Sequence, residues 1–150
     1  MPKEFIIKGQ LASSGSETLR LSGIADGYGY IITSFQIAPS TNLGSAGAEC
    51  FAAITSATSA MDPINPNWDT AGLVATATSY SYGLAVAGNF APMSLIDDMT
   101  VLTQDLILSV RETDNGNPVN YLIKFKEVKL TGAAEAVANY KQYGVYNTRK

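Results

Sequence analysis

Residues 30–37 read Tyr-Ile-Ile-Thr-Ser-Phe-Gln-Ile, and this stretch decides the fold class. Three apolar residues and one threonine recur at every second position: Ile31, Thr33, Phe35 and Ile37. Ser34 and Gln36 fall between them. Alternation with a period of two predicts a strand with one face on a core and the other in solvent. We therefore expect Ile31, Phe35 and Ile37 to share the buried face.

Comparable patterns extend outward from this strand toward both ends of the chain. The further strand-like segments are residues 5–7, 18–22, 48–55, 74–80, 106–111 and 119–130. About eight short strands, separated by Gly, Pro and Asn turns, predict an all-β fold, an antiparallel β-sandwich. Eight strands fit a jelly roll best. An immunoglobulin-like sandwich stays open as the alternative, although the Cys-Trp-Cys pattern of antibody domains is absent.

Local signals predict a turn and a bulge in the last third of the sandwich. Residues 114–118, Asp-Asn-Gly-Asn-Pro, predict a hairpin between the strands on either side, because Asn-Gly tolerates positive φ. The apolar residues of the second arm then change parity: Tyr121, Ile123 and Phe125, followed by Val128 and Leu130. If one face stays on the core, an extra residue must be absorbed, which predicts a β-bulge near Lys126 or Glu127.

The pattern changes after Leu130, where apolar residues recur at helical spacing: Ala133, Ala136, Val137 and Tyr140. Gly144 is placed to end a short helix. We therefore divide the chain into a β-sandwich domain, residues 1–132, and a C-terminal helix or arm, residues 133–150. Tyr140, Tyr143 and Tyr146 stand among basic residues, and this amphipathic segment is expected to pack on its own domain or on a neighbouring subunit.

Charge is scarce and unevenly distributed. Asp, Glu, Lys and Arg make up 15% of the 150 residues, against roughly 25% in typical soluble domains. Residues 21–110 contain seven acids and no base, whereas the flanks contain ten bases and six acids. The middle of the chain thus carries a formal charge of −7 and the flanks +4. A negative middle repels a phosphate backbone, so we expect no direct nucleic-acid binding.

The residues needed for most catalytic and metal sites are missing. The chain has no histidine, which excludes Ser-His-Asp and Cys-His activation, and one cysteine cannot build a zinc site. Cys50 is expected to be a buried thiol. Asp97 and Asp98 are interpreted as turn residues, and the oxygen-rich stretch 62–69 lacks the glycine and closing Glu of an EF-hand loop. The sequence therefore predicts no catalytic residue, cofactor or metal, and an enzyme using carboxylates alone is the weakest alternative.

Aromatic residues form the one candidate ligand surface: Tyr28, Tyr30, Trp68, Tyr80 and Tyr82. Flat rings stack on apolar sugar faces, and Tyr-Gly-Tyr and Tyr-Ser-Tyr spacing puts two rings on one face of a strand. These rings are candidates for a glycan platform. The competing interpretation is aromatic packing within the sheets or at a subunit contact.

A family resemblance is carried by the strand-like opening at residues 5–7, the roughly eight short strands, the Asn115-Gly116 turn and the aromatic arm from Ala133 onwards. On these features the chain resembles the small jelly-roll structural proteins of viruses and bacteriophages. The resemblance implies a domain that tiles or decorates a capsid, or belongs to a spike or tail, with terminal arms that tie neighbours together. Capsid shells that bind their genome carry strongly basic arms, and the modest positive charge here shifts the expectation toward decoration.

The sequence thus predicts a non-enzymatic virion structural protein whose partners are copies of itself and other virion proteins. The alternative function is a carbohydrate-binding or receptor-binding module. No stretch approaches the roughly 20 apolar residues of a membrane helix, and the opening Met-Pro-Lys-Glu-Phe-Ile-Ile-Lys has no signal-peptide pattern. We therefore expect synthesis in the host cytoplasm and localisation in the virion, with no membrane partner.

Overall fold

The computed structural model describes residues 3–21, 27–40, 48–56, 61–81, 93–113 and 116–130. This part of the chain contains no helix and has these strands: β1 (Glu4–Leu11), β2 (Ser16–Leu19), β3 (Tyr28–Pro39), β4 (Ala48–Ser56), β5 (Leu73–Ser81), β6 (Met93–Ile96), β7 (Leu106–Glu112) and β8 (Val119–Lys129). The all-β prediction is confirmed. The C-terminal segment 133–150, expected as a helix or arm, lies outside the described residues.

The strands form two antiparallel sheets. The first has three strands in the order β1-β8-β3, and the second has five in the order β2-β7-β4-β5-β6. The first strand pairs with the last, the second with the seventh, and the fourth with the fifth. Strand β6 pairs with β5, while Leu102, in the connection from β6 to β7, forms a bridge with Tyr30 of β3. This bridge gives β3 a neighbour on the side away from β8.

The core lies between the two sheets and is built from alternate residues of both. Val119, Tyr121, Ile123 and Phe125 of β8 face Leu106, Leu108 and Val110 of β7 across the sandwich, and all are buried. Full burial of one such aliphatic or aromatic side chain contributes about 1.5–3 kcal/mol. Phe5 stacks on Phe125, with ring centroids 5.0 Å apart, and meets Tyr30 edge-on at 5.3 Å. These rings close one end of the core.

The predicted parity of residues 31–37 is wrong in its first half, because a bulge interrupts β3. Ile32 pairs with Phe125 and Ser34 with Lys124, so Thr33 is the extra residue. The core side chains are therefore Tyr30 and Ile32 before the bulge, and Phe35 and Ile37 after it. The Thr33 hydroxyl donates a hydrogen bond to the Lys124 carbonyl at 3.2 Å. Ile31 is half-buried and faces away from the core.

The bulge predicted at Lys126 or Glu127 is accordingly absent from β8, whose register with β3 runs unbroken through both residues. The prediction assumed that Val128 and Leu130 face the core. Instead, Leu130 lies over Gly29, where a Cβ atom on that glycine would be 3.2 Å from the leucine Cδ1. The buried residues change from even to odd numbers in β3, the partner strand, and not in β8.

The hairpin predicted at residues 114–118 is also wrong. β7 belongs to the five-stranded sheet and β8 to the three-stranded sheet, so this connection crosses between the sheets. Gly116 does adopt positive φ, at 69°, as the turn pattern requires. Asn117 donates its backbone amide to the carboxylate of Glu112, at 2.9 Å, which fixes the crossing. Asp114 and Asn115 lie outside the described residues.

Candidate functional site

The aromatic residues proposed from the sequence do not form one surface within the described residues. Tyr30 is 1% exposed and belongs to the core, so it is not available to a ligand, while Tyr28 is half-buried at the start of β3. Trp68 lies in the β4–β5 connection and is 58% exposed. The Tyr80 side chain, Tyr82, and the arm residues Tyr140, Tyr143 and Tyr146 lie outside the described residues.

Strand alternation explains why Tyr30 differs from the prediction. Tyr28 and Tyr30 do share one face, but that face meets the core because Tyr30 precedes the bulge in the same register as Ile32. Burial, and secondarily the charge of Glu127, raises the pKa of the Tyr30 hydroxyl. This hydroxyl has no hydrogen-bond partner among the described residues. A buried hydroxyl without a partner costs about 1–3 kcal/mol of stability.

The β4–β5 connection, residues 61–72, packs against the outer face of the five-stranded sheet. Arg111 alternates with the buried Val110 and Glu112, so its side chain lies on that outer face. It forms an ion pair with Asp62 at 3.3 Å, and Pro63 next to it is buried. Asn67 accepts a hydrogen bond from the Asp69 amide, which is a turn interaction. Asp62 thus neutralises an arginine, and the described residues contain no group of three or more metal-ligating side chains.

A second turn, residues 97–100, lies at the start of β5, where the 61–72 connection ends, whereas Asp62 at the beginning of that connection pairs with Arg111 near the far end of β7. The Asp97 amide donates to the Val74 carbonyl near the start of β5, directly after the 61–72 connection. The Asp97 carboxylate accepts bonds from the amides of Met99 and Thr100 and from the Thr100 hydroxyl at 2.6 Å. This capping confirms Asp97 as a turn residue and leaves the Met99 side chain 86% exposed.

We call residues 61–72 and 97–100 together the Trp68 end. It presents two large apolar side chains to solvent, Trp68 and Met99. It also contains four carboxylates, those of Asp62, Asp69, Asp97 and Asp98, and no lysine or arginine.

The opposite charge collects on the outer face of the three-stranded sheet. The even-numbered residues of β1 and β8 point away from the core, and three of them are lysines: Lys8, Lys124 and Lys126. Lys124 pairs with Glu4 at 3.4 Å, whereas Lys8 and Lys126 form no ion pair within the described part of the chain. We call this surface the lysine face. Its positive charge arises because β1 and β8, from the two basic flanks of the sequence, pair with each other.

The lysine face contains an open groove of about 560 Å³. Its lining residues are Lys8, Gly9, Gln36, Ile37, Ala38, Asn120, Tyr121 and Leu122. Asn120 is held in place, since it accepts a hydrogen bond from Gln10 at 2.8 Å and donates one to the Pro39 carbonyl at 3.3 Å. The groove therefore combines an ammonium group and carboxamides with the aliphatic side chain of Leu122. Ile6, which is 51% exposed, lies on the same face beside Lys124.

Gly9 and Tyr121 connect this groove to the second sheet. The residues are partners in the β1–β8 ladder, and a Cβ atom at position 9 would lie 2.9 Å from the Tyr121 hydroxyl. The missing side chain lets this hydroxyl reach Glu17 on β2, to which it donates a hydrogen bond at 2.9 Å. Burial, then the bond to Glu17 and its charge, raises the pKa of Tyr121 to about 12. The contact joins β8, the central strand of the three-stranded sheet, to β2, an edge strand of the five-stranded sheet.

Sequence reasoning missed the lysine face and the exposed Met99. The uneven charge along the chain was its signal, but only the pairing of β1 with β8 turns that into a surface. Cys50 is buried on β4, as expected. No helix in the described part of the chain is long and apolar enough to cross a membrane. A scan against protein-family models gives no match for this chain, and a search of curated proteins gives none either.

Proposed function

We propose that this chain is a non-enzymatic structural protein of a virion that self-associates or decorates a capsid. The observation that carries the proposal is the pair of exposed apolar side chains, Trp68 and Met99, at one end of a rigid sandwich. A tryptophan and a methionine are residues that interface cores favour. Truncating a tryptophan that is buried at an interface typically weakens the binding free energy by roughly 2 kcal/mol or more.

The β-sandwich architecture agrees with this proposal but does not by itself indicate a function. An antiparallel β-sandwich suits a building block, since the connections between its strands can be varied. The same fold also hosts other functions, so the surface features must decide. A search of the genes adjacent to this one gives an independent check: capsid, portal or tail genes favour the virion role, and a metabolic operon opposes it.

Light scattering and sedimentation velocity over a range of protein concentrations test self-association. We expect assembly of the full chain and weaker assembly of the Trp68→Ser/Met99→Ser variant. The matched control is Asn65→Ser, an exposed polar change in the same connection. A full chain that remains monomeric, and that is not recruited by virions carrying its neighbouring gene products, opposes the proposal.

A second candidate function is glycan binding, favoured by the groove on the lysine face. Its volume lies within the range of small-ligand sites, about 300–1,000 Å³. Carboxamide and ammonium groups donate hydrogen bonds to sugar hydroxyls and carboxylates. A glycan array tests this function, with Gln36→Ala as the groove variant and Trp68→Ala as the variant of the opposite surface. Binding lost in Gln36→Ala alone supports the groove, and no binding by the unmodified chain removes the candidate.

A further inference from the structure

The two surfaces described above are complementary in charge. The lysine face carries three ammonium groups and one carboxylate, that of Glu4, which is paired with Lys124. The Trp68 end carries the carboxylates of Asp62, Asp69, Asp97 and Asp98; that of Asp62 is paired with Arg111, and that of Asp97 accepts hydrogen bonds from Met99 and Thr100. Complementary potentials accelerate encounter and fix the register of an interface. Each surface is therefore suited to meet the other on a second molecule.

The apolar parts of the two surfaces are complementary as well. Trp68 and Met99 project from the Trp68 end, while the lysine face has a groove with Leu122 in its lining and Ile6 beside it. A projecting aromatic anchor that fills a recess with a polar rim is the arrangement found at the centre of protein interfaces.

We propose that the Trp68 end of one copy docks on the lysine face of the next. This inference rests on the proposed function, self-association, and names the surfaces that perform it. The two surfaces consist of different residues of the same chain, so the contact is head-to-tail. Such contacts generate closed rings or open filaments, whereas a contact of one surface with itself stops at a dimer.

Charge reversal tests this contact directly. Lys126→Glu places a negative charge on the lysine face, which then repels the carboxylates of the Trp68 end. Asp98→Lys places a positive charge on the Trp68 end, which then repels the lysines of the lysine face. We expect each variant alone to associate about tenfold more weakly, since like charges then oppose each other. An equimolar mixture should recover association to within about twofold of the unchanged chain, because each altered surface finds a complementary one on the other variant. Circular dichroism spectra of both variants establish that they are folded.

The matched control is Lys129→Glu, which makes the same charge change on the same strand. Lys129 has the opposite parity from Lys126 and so does not belong to the lysine face. We expect Lys129→Glu to associate like the unchanged chain. Association of the full chain should also weaken with salt, because the screening length falls from about 8 Å at 0.15 M to about 3 Å at 1 M.

The outcomes separate this inference from the proposed function. If the unchanged chain assembles but Lys126→Glu and Lys129→Glu behave alike, self-association stands and the docking surfaces are wrong. Weakening by both single reversals without recovery in the mixture also overturns the head-to-tail contact. An unchanged chain that never assembles removes the proposed function and this inference with it.

Discussion

Stability should depend on alkaline pH because burial, and then the hydrogen bond to Glu17, raises the pKa of Tyr121, and Tyr121→Phe tests this. The folded-state pKa of Tyr121 is about 12, against an ordinary value of 10.0. A group whose pKa is raised by folding contributes stability that is complete below its unfolded pKa and is lost as pH rises to its folded pKa. The Tyr121 contribution is therefore intact below pH 10 and disappears between pH 10 and about 12.

The size of the loss follows from the shift. Each pKa unit corresponds to 1.36 kcal/mol, so a shift of about two units gives roughly 3 kcal/mol of unfolding free energy. At neutral pH, loss of one hydrogen bond to a charged acceptor costs about 1.5–3 kcal/mol. Glu17 is only half-buried, so water hydrates its carboxylate once the Tyr121 hydroxyl is removed. This reduces the expected loss of unfolding free energy in Tyr121→Phe to about 1–2 kcal/mol.

Urea unfolding of both chains at neutral and alkaline pH measures these quantities. We expect Tyr121→Phe to be less stable at pH 7 and to lose less stability on raising the pH above 10, so that the two curves converge or cross. Glu17→Gln is the companion variant, because it removes the negative charge but leaves an acceptor. Equal alkaline losses in the unchanged chain and in Tyr121→Phe would show that ionisation of Tyr121 does not destabilise the fold.

Two further substitutions probe the other packing features of the fold. Tyr30→Phe should raise the unfolding free energy by up to about 1 kcal/mol, because it removes a buried hydroxyl with no partner among the described residues, so a loss of stability would contradict the assignment. Gly29→Ala should lower the unfolding free energy by about 1–3 kcal/mol, because the new Cβ would lie 2.4 Å from Val101 Cγ1. Thermal unfolding of both variants beside the unchanged chain measures these effects, and an unaltered Tm in Gly29→Ala would show that Val101 moves aside freely.

The fold class was predictable from the sequence because strand alternation is a local property. Most of the predicted strand segments match strands of the structure, and Leu106, Leu108 and Val110 are buried as their alternation indicates. The β3 bulge was not predictable, since residues 31–37 alternate equally well without it. Only the pairing partner shows that Thr33 is the extra residue.

Connections between strands were less predictable than the strands. The Asn115-Gly116 pattern fits a hairpin, yet the register places β7 and β8 in different sheets. A turn pattern specifies backbone angles over a few residues, and Gly116 does have the positive φ that the pattern requires. Which sheet the next strand joins depends on contacts between residues far apart in the chain, such as Phe5 with Phe125.

The candidate site was only partly predictable. Trp68 is exposed, which fits a role at a surface, whereas Tyr30 is in the core because its parity follows from the bulge. The lysine face depends on the pairing of residues near position 8 with residues near position 122, a separation that no local pattern encodes. The charge asymmetry along the chain was visible, but its arrangement in space was not.

Sedimentation velocity of the full chain, at increasing concentration and low salt, tests self-association most directly. We predict a weight-average mass that rises well above the 15.9 kDa of one chain and falls when Trp68 and Met99 are both replaced by serine. A mass that stays at 15.9 kDa at every concentration would show that the chain does not self-associate.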